Sequence, residues 1–467
     1  MTELWRLGAS EIAEAIRSKK VSAREVVTAH LERIEAVNPT VNAITVVLAE
    51  DALAAAAALD ERLAASGEVC GPLHGVPFTV KENIDLAGSA TTEGVTALAG
   101  YLPDADAPHI AQARAAAGGI PIARTNLPDF GLRWHSDNAL RGATLNPWDR
   151  SRTPGGSSGG EAVALATGMT PLGMGNDLGG SLRVPSQFNG TAALKPSYGR
   201  IATRHTTSPF EPPITFQLWA VEGPMARGVR DLRLAYGVIC GPDPRDPLWT
   251  PAPLHGPTPD RPLRVAVVRD PGGLGVDTDV AAGVQSAADA LADAGYDVAD
   301  AEPPVMDAYL SWRSLLVSDV RLMWPMIQPM ISPGADRFMQ ALLEIEPPAD
   351  LPAYAAGLAS RLGIARAWAQ FQETRPLILG PVCTRQPFLV GRDTGSIEEV
   401  QTITDSMRLT VAVNNMGLPA VAVPVGLASG LPQGVQVIGP RYREDLCLDA
   451  AEAIEARLGM ITPIDPR

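Results

Sequence analysis

Two serines, each placed beside paired glycines, lie 24 residues apart in the sequence. Ser157 is in the segment GGSSGG, and Ser181 directly follows Gly179 and Gly180. Glycine pairs let the backbone approach a substrate closely and leave N–H groups free to bind an anion. A serine hydroxyl held beside such N–H groups suits a nucleophile next to an oxyanion hole. GGSSGG alone is also typical of a flexible turn, but the second glycine–serine site and the apolar stretch Ala162–Ala166 argue against a linker.

A lysine upstream of both serines ends a short apolar segment. The sequence LHGVPFTVKEN predicts a buried strand over Phe78–Val80, with Lys81 directly after it. A lysine that enters an apolar interior loses hydration, so its pKa falls and it can take a proton from a serine. For this segment on its own, the alternative is a lysine whose stem is buried while its ammonium group reaches solvent.

Taken together, these segments resemble the amidase signature family. The resemblance rests on GVPFTVKEN, TPGGSSGGEAVALA, GNDLGGSLRVPSQFNGTAALKPSYGR and the C-terminal GLPAVAVPVG…GLPQGVQVIGP, which follow one another in the family's order. It covers nearly the whole chain and is weakest between about residues 243 and 401.

The resemblance implies a Ser–cisSer–Lys triad, with Ser181 as the nucleophile, Ser157 as the bridging serine and Lys81 as the base. It also implies a cis peptide bond before Ser157. Backbone N–H groups around the nucleophile would bind the oxyanion, and the predicted donors are Leu178, Gly179, Gly180 and Ser181. Asn176 stands where Thr or Ser commonly precedes the Asp of the family pattern, and we expect an altered hydrogen bond there without loss of activity.

Residues outside the triad are predicted to bind the substrate or to support the site. The predicted substrate-binding residues are His135, Phe210, Phe216 and Met326. His135 fits a pocket lining and an ordinary packed histidine equally well. The two phenylalanines are in the segment 204–219, which we expect to lie over the site, and Met326 is in an apolar segment that is also typical of a core. Asp177 and Arg183 are expected to support the nucleophile loop by hydrogen bonding.

Alternation of strands and helices along the chain predicts an α/β fold. The family resemblance implies a mixed central β-sheet flanked by helices. Helices are predicted at Ser10–Ser18, Ser22–Ala36, Ala49–Ser66, Ala111–Ala117 and Asp277–Ala294, and further strands at Ile120–Arg124, Leu263–Val268 and Tyr296–Val298. Asn38 and Pro39 are predicted to end the second helix. The length of 467 residues allows two lobes or one large core, and we interpret residues 1–467 as one domain with a helical, substrate-shaping region at about 303–377.

Composition excludes several classes of partner. The net charge of −14 disfavours nucleic acid and anionic membranes as partners. No apolar run reaches the length of a membrane span, and residues 1–20 lack a signal-peptide core. The four cysteines are scattered and form no Cys/His cluster, so we predict no metal and no cofactor. These features favour a cytoplasmic enzyme acting on a small molecule, and they allow a homodimer.

Three functions fit the sequence. The first is a hydrolase that cleaves the C–N bond of amides with an apolar or aromatic part, with carbamate (urethane) and ester cleavage as extensions of the same carbonyl chemistry. The second is the glutaminase component of a tRNA-dependent amidotransferase, which would need a partner protein and a polar pocket. The third is a non-catalytic binding protein on the same fold. The apolar segment HTTSPFEPPITFQLWA and the acidic balance weigh against the second function. The presence of Lys81, Ser157 and Ser181 weighs against the third.

Overall fold

The computed structural model describes residues 3–208, 210–260 and 262–467. Met1, Thr2, Pro209 and Arg261 lie outside the described residues, so the predicted domain over 1–467 and the segment 204–219 are described without them. The strands of the described residues are β1 (Ile44–Val47), β2 (Pro77–Lys81), β3 (Ile120–Thr125), β4 (Leu172–Asp177), β5 (Ala192–Lys195), β6 (Val221–Ala226), β7 (Arg264–Val267), β8 (Asp297–Asp300), β9 (Leu377–Pro381), β10 (Ala420–Ala428) and β11 (Leu431–Ile438).

Helices flank the strands of the described residues. They are α1 (Ala9–Arg17), α2 (Ala23–Val41), α3 (Ala49–Ser66), α4 (Pro108–Ala111), α5 (Gly159–Ala166), α6 (Arg183–Asn189), α7 (Ile214–Trp219), α8 (Val229–Ile239), α9 (Thr278–Asp293), α10 (Val305–Ile327), α11 (Pro333–Ile345), α12 (Leu351–Thr374), α13 (Ile397–Ser406), α14 (Arg408–Met416) and α15 (Glu444–Leu458). None of the helices within residues 3–208, 210–260 and 262–467 is both long and apolar enough to cross a membrane.

The described strands form one mixed sheet in the order β1-β3-β2-β4-β6-β5-β10-β11-β9-β7-β8. Strand β2 lies between β3 and β4 and is parallel to both, whereas β4 pairs with β6 in the antiparallel direction. The predicted α/β fold with a mixed central sheet is therefore confirmed. Because the carboxyl ends of parallel strands meet at one edge of a sheet, the last residues of β2 and β4, Lys81 and Asp177, come to the same edge.

Local sequence signals place most elements within one to three residues of their predicted bounds. Helix α3 has the predicted bounds, and β2 contains the predicted strand with Lys81 as its last residue. Helix α2 begins at the predicted capping box, in which the Ser22 hydroxyl accepts a bond from the Glu25 N–H. The predicted helix over 111–117 begins earlier, at Pro108, and continues as a π-helical turn over Gln112–Ala116.

The predicted end of α2 at Asn38 and Pro39 is wrong. The helix continues through Pro39 to Val41 and ends at Asn42, which adopts the left-handed conformation. Pro39 has no N–H to donate to the Glu35 carbonyl, so the helix has one hydrogen bond fewer near this end. The Asn38 side chain, which accepts bonds from the amides of Ala43 and Ile44, fixes the chain beyond the helix.

Three long helices fill the region that was predicted to be helical, about residues 303–377. These are α10, α11 and α12, and they come directly before β9. Helices α10 and α11 contribute to an apolar cluster on one face of the sheet, whose aromatic members include Trp134, Trp219, Trp312 and Phe338. This cluster lies beside the edge at which β4 ends, because Leu178 packs against it.

Candidate active site

Lys81 is the fully buried last residue of strand β2. Its Nζ donates a hydrogen bond of 2.6 Å to Ser157 Oγ and another of 2.7 Å to Asn176 Oδ1. Burial lowers the pKa of Lys81 to about 8, although four acidic residues nearby oppose this fall. At pH 7 about one lysine in ten is then uncharged. The structure therefore shows a buried lysine amine and not one that reaches solvent.

Ser157 follows the cis peptide bond between Gly156 and Ser157 that the sequence resemblance implies. A Cβ at position 156 would lie 2.4 Å from the Arg133 carbonyl oxygen, so only glycine fits there. The next residue, Ser158, donates its N–H to the Ser181 carbonyl at 3.1 Å. This bond joins the two glycine-rich serine segments.

Ser181 lies in the loop between β4 and α6, which the Asp177 carboxylate holds in shape. That carboxylate accepts bonds from the N–H of Gly180 at 2.7 Å and of Leu182 at 3.1 Å. It also pairs with the Arg183 guanidinium at 3.1 Å. Burial raises the pKa of Asp177, but Arg183 more than offsets this effect, so the carboxyl remains ionised with a pKa below its usual range.

The prediction that the Gly180 amide is an oxyanion donor is wrong. Its N–H is directed at Asp177, so it is not free to bind a substrate oxygen. The amides of the other three predicted donors, Leu178, Gly179 and Ser181, donate to no acceptor within the described part of the chain. Gly180 is needed for shape instead, because it has φ +97° and an added Cβ would lie 2.5 Å from Thr410 Cγ2.

Two tryptophans that the sequence reasoning did not select contact this loop, and a third packs against one of them. Trp134 Nε1 donates to the Gly179 carbonyl at 2.9 Å, and Trp312 Nε1 donates to the Leu178 carbonyl at 3.4 Å. Trp219 stacks on Trp312 with a centroid distance of 6.3 Å. A buried indole needs an acceptor for its N–H, and here the loop carbonyls supply two of them. The loop that carries Ser181 thus borders an aromatic wall.

The predicted substrate-binding residues fall into two groups. Phe216 packs in the same cluster as Trp219 and Trp312. His135 is buried, shares a hydrogen bond of 3.0 Å with Thr153 Oγ1, and has a pKa lowered by burial. Phe210 and Met326 are instead 70% and 52% exposed, so the structure does not bring them to the cluster.

Within the described residues, no group of three Cys, His, Asp or Glu side chains is placed to hold a metal ion.

Asn176 forms side-chain hydrogen bonds with Lys81 and with Asn83. Its Oδ1 accepts from Lys81, and its Nδ2 donates to Asn83 Oδ1 at 3.1 Å. The carboxamide can do both at once because it has an acceptor and donors on different atoms. Asn176 therefore offers Lys81 a carboxamide oxygen as acceptor, where a Thr or Ser would offer a hydroxyl group.

Comparisons with known proteins agree with this geometry. The family described as Amidase matches residues 25–448. The chain is 43% identical to the indoleacetamide hydrolase of Bradyrhizobium diazoefficiens, covering 98% of this chain and 88% of that protein. It is 34% identical to one of the subunits of the glutamyl-tRNA(Gln) amidotransferase of Salinispora arenicola, covering 99% of both chains. Among solved structures, it is similar to 6-aminohexanoate cyclic dimer hydrolase, with 29% identity, 98% of both chains covered and a TM-score of 0.82.

Proposed function

The chain belongs to the amidase signature family and is a hydrolase of non-peptide C–N bonds, and we propose that it cleaves small neutral amides with an aromatic acyl part. The family membership confirms the resemblance of the four sequence segments. The finer proposal has two parts, the machinery that breaks the bond and the substrate class. One observation supports the machinery most strongly: a fully buried lysine amine lies 2.6 Å from Ser157 Oγ.

In the proposed mechanism, Ser181 Oγ attacks the amide carbonyl. Its proton passes to Ser157 Oγ while the proton of Ser157 passes to the neutral amine of Lys81. The carbonyl oxygen becomes an oxyanion and accepts hydrogen bonds from the free amides of Leu178, Gly179 and Ser181.

Collapse of this intermediate breaks the C–N bond and leaves an acyl-enzyme on Ser181. The proton held by Lys81 returns through Ser157 to the leaving amine. A water molecule then attacks the acyl group and gives one proton to the same relay. Collapse breaks the bond between Ser181 Oγ and the acyl carbon, the relay returns the proton to Ser181 Oγ, and the carboxylic acid leaves. Neither half of the reaction needs a histidine, because the buried lysine can take and return the proton.

The substrate class is proposed from the aromatic wall. Trp134 and Trp312 hold the loop that carries the free amides, and Trp219 and Phe216 pack beside them. A planar aromatic acyl group would pack against the partly buried member of this set, Phe216, which the buried tryptophans support. Indoleacetamide, which the name of the relative from Bradyrhizobium diazoefficiens gives as its substrate, has this chemistry. We therefore propose arylacetamides as the preferred class.

One panel of substrates separates the proposed function from the alternative functions that the sequence leaves open. The panel contains indole-3-acetamide, ethyl indole-3-acetate, an aryl carbamate and glutamine. Each compound is incubated with purified protein. We expect the highest kcat/KM for indole-3-acetamide. A highest value for glutamine would support the amidotransferase alternative and overturn the proposed substrate class. Turnover of none of the four compounds would overturn the proposed substrate class as well. Carbamate and ester cleavage stay predictions, as do a homodimer and a cytoplasmic location.

Phe216→Ala is expected to change substrate preference. Removal of a wall contact takes away binding energy that only a large acyl group can use, so kcat/KM for indole-3-acetamide should fall about 10-fold and that for acetamide less than about 2-fold. The matched control is Phe371→Ala, because Phe371 is also partly buried but packs in a different apolar cluster. Equal proportional losses on both substrates in Phe216→Ala would show that Phe216 only supports the core.

A further inference from the structure

A buried carboxylate, that of Asp319, joins three helices beside the aromatic wall. Its Oδ2 accepts hydrogen bonds from the Thr215 N–H at 2.9 Å and from Thr215 Oγ1 at 2.7 Å. Its Oδ1 accepts from the Tyr354 hydroxyl at 2.7 Å. Asp319 lies on α10, Thr215 on α7 and Tyr354 on α12. None of these three residues has a role in the mechanism above.

The Asp319 carboxylate is buried without a cation. Asp319 is only 3% exposed, and within the described residues it forms no ion pair. A carboxylate in the interior is costly unless hydrogen bonds replace its hydration. Three donors do so here, and two of them belong to one residue of α7. Most of the hydrogen bonding that compensates this carboxylate therefore comes from α7.

Helix α7 needs Asp319 because it is short and has no cap of its own. It has 6 residues, fewer than an isolated helix needs in water. The residue before it is Pro213, whose side chain has no hydrogen-bond acceptor, so no side-chain cap forms there. Asp319 supplies the missing acceptor from another helix, because it bonds the Thr215 N–H in the first turn of α7.

Two contacts with α10 fix the orientation of α7. Thr215 and Trp219, the buried residues of α7, are four positions apart and therefore share one face. Thr215 bonds Asp319, Trp219 stacks on Trp312, and both partners lie on α10. The hydrogen bonds hold the first turn of α7, and the stacked indoles hold its last turn. Loss of either contact would leave the helix attached at one end.

Phe216 is the side chain whose position depends on this attachment. It directly follows Thr215, is partly buried, and packs in the apolar cluster that also contains the three tryptophans. Strand β6 begins two residues after the end of α7 and pairs with β4 as far as Asp177, where the loop to Ser181 begins. Helix α7 therefore carries Phe216 at the edge of the sheet where the candidate active site lies.

We propose that Asp319 is a positioning residue for substrate specificity, because it fixes α7 and so holds Phe216 in place against the acyl part of the substrate. This role rests on the proposed function, since it assumes that Phe216 contacts an aromatic acyl group. Asp319 has no bond to the triad, so the proton relay does not depend on it.

Asp319→Ala leaves the Thr215 N–H and the Tyr354 hydroxyl without their acceptor and releases the first turn of α7. We expect kcat/KM for indole-3-acetamide to fall about 10-fold, mainly through KM, and kcat/KM for acetamide to change less than about twofold. Asp319→Asn should restore most of the loss, because its oxygen can accept from Thr215 while its NH₂ group donates to the Tyr354 oxygen.

The two hydroxyl donors to Asp319 separate the positioning of α7 from the stability of the fold. Thr215→Val removes the donor on α7 and should lower the preference for indole-3-acetamide over acetamide about threefold. Tyr354→Phe removes the donor on α12 and should leave that preference unchanged, because both bonds to α7 remain. Each variant loses one buried hydrogen bond, so thermal unfolding should show similar losses of stability.

Hydrogen exchange followed by mass spectrometry reports on α7 directly. The amides of Ile214–Trp219 should exchange at least about 10-fold faster in Asp319→Ala than in the wild type, and at the wild-type rate in Asp405→Asn. Asp405 is the matched control, because it also accepts a bond from the hydroxyl of a tyrosine on α10, Tyr309. Within the described residues, the bonds of Asp405 do not include α7.

A double-mutant cycle with Phe216→Ala tests the route of the effect. If Asp319 acts through Phe216, Asp319→Ala adds no further loss of preference in the Phe216→Ala background. Thr215→Val takes its place in the cycle if Asp319→Ala does not fold. Multiplied losses of preference, an Asp319→Ala enzyme with the full preference, or unchanged exchange of α7 would overturn the proposal.

Failure of the proposed function gives a different result. The wild-type enzyme would then show no preference for indole-3-acetamide over acetamide, whereas the exchange of α7 would still respond to Asp319→Ala. Failure of the role of Asp319 would instead leave the wild-type preference in place and unaltered in the Asp319 variants.

Discussion

Ser181→Ala should reduce kcat for indole-3-acetamide by at least about 10⁴-fold, because alanine has no atom that can form the acyl-enzyme. Ser181 is at the surface of the site and only 7% exposed, so the loss of one hydroxyl should leave the unfolding temperature nearly unchanged. The measurement is single-turnover kinetics with enzyme in excess, which separates chemistry from product release.

Ser186→Ala is the matched control for Ser181. Ser186 is also buried and lies five positions further along, on α6, with a hydroxyl that has no partner in the described residues. Its removal costs no hydrogen bond, so activity should stay within about twofold. A Ser181→Ala enzyme that retains more than about a tenth of wild-type kcat would show that another group attacks the carbonyl.

Lys81→Ala should cause a loss of similar size, about 10⁴-fold in kcat, because no other base is within hydrogen-bond distance of Ser157 Oγ in the described residues. Lys81→Arg should not restore activity, since a guanidinium stays protonated. In the wild type, kcat/KM should rise with pH through about 8, because burial lowers the pKa of Lys81 to about 8 and the uncharged amine is the active form. Protonation below this pH removes the lone pair that accepts the proton.

A second buried lysine serves as the control for Lys81. Lys195 is fully buried and donates to the carbonyls of Pro196 and Leu418, each at 2.8 Å, without contact to a serine hydroxyl. Lys195→Met should lower stability but keep the rising limb of kcat/KM near pH 8 in the folded fraction. If the rising limb of kcat/KM disappeared in Lys195→Met and persisted in Lys81→Ala, Lys195 and not Lys81 would be the base.

The parts of the site that follow from local sequence could be predicted. Strand β2 and Lys81 at its end follow from an apolar run of strand formers before a lysine. The start of α2 follows from a capping box four residues long. In both cases the residues that determine the structure are neighbours in the chain, so the sequence pattern contains the whole interaction.

Other parts depend on contacts between distant segments. Trp312 on α10 contacts the Leu178 carbonyl across 134 residues of sequence, and nothing in its own neighbourhood indicates this. The bond between the Gly180 N–H and Asp177 depends on how the loop turns, so the motif alone predicted one oxyanion donor too many. The link from Lys81 to Asn83 depends on the pairing of β2 with β4, which brings Asn176 between them.

The most direct test of the account is the identity of the residue that becomes covalently modified. The enzyme is inactivated with an aryl sulfonyl fluoride or a phosphonate, digested, and the adduct is located by mass spectrometry. We predict one adduct, on Ser181, whose formation parallels the loss of amidase activity and slows when Lys81 is replaced by alanine. An adduct on any other residue that appears in step with inactivation, while Ser181 remains unmodified, would contradict the proposed mechanism.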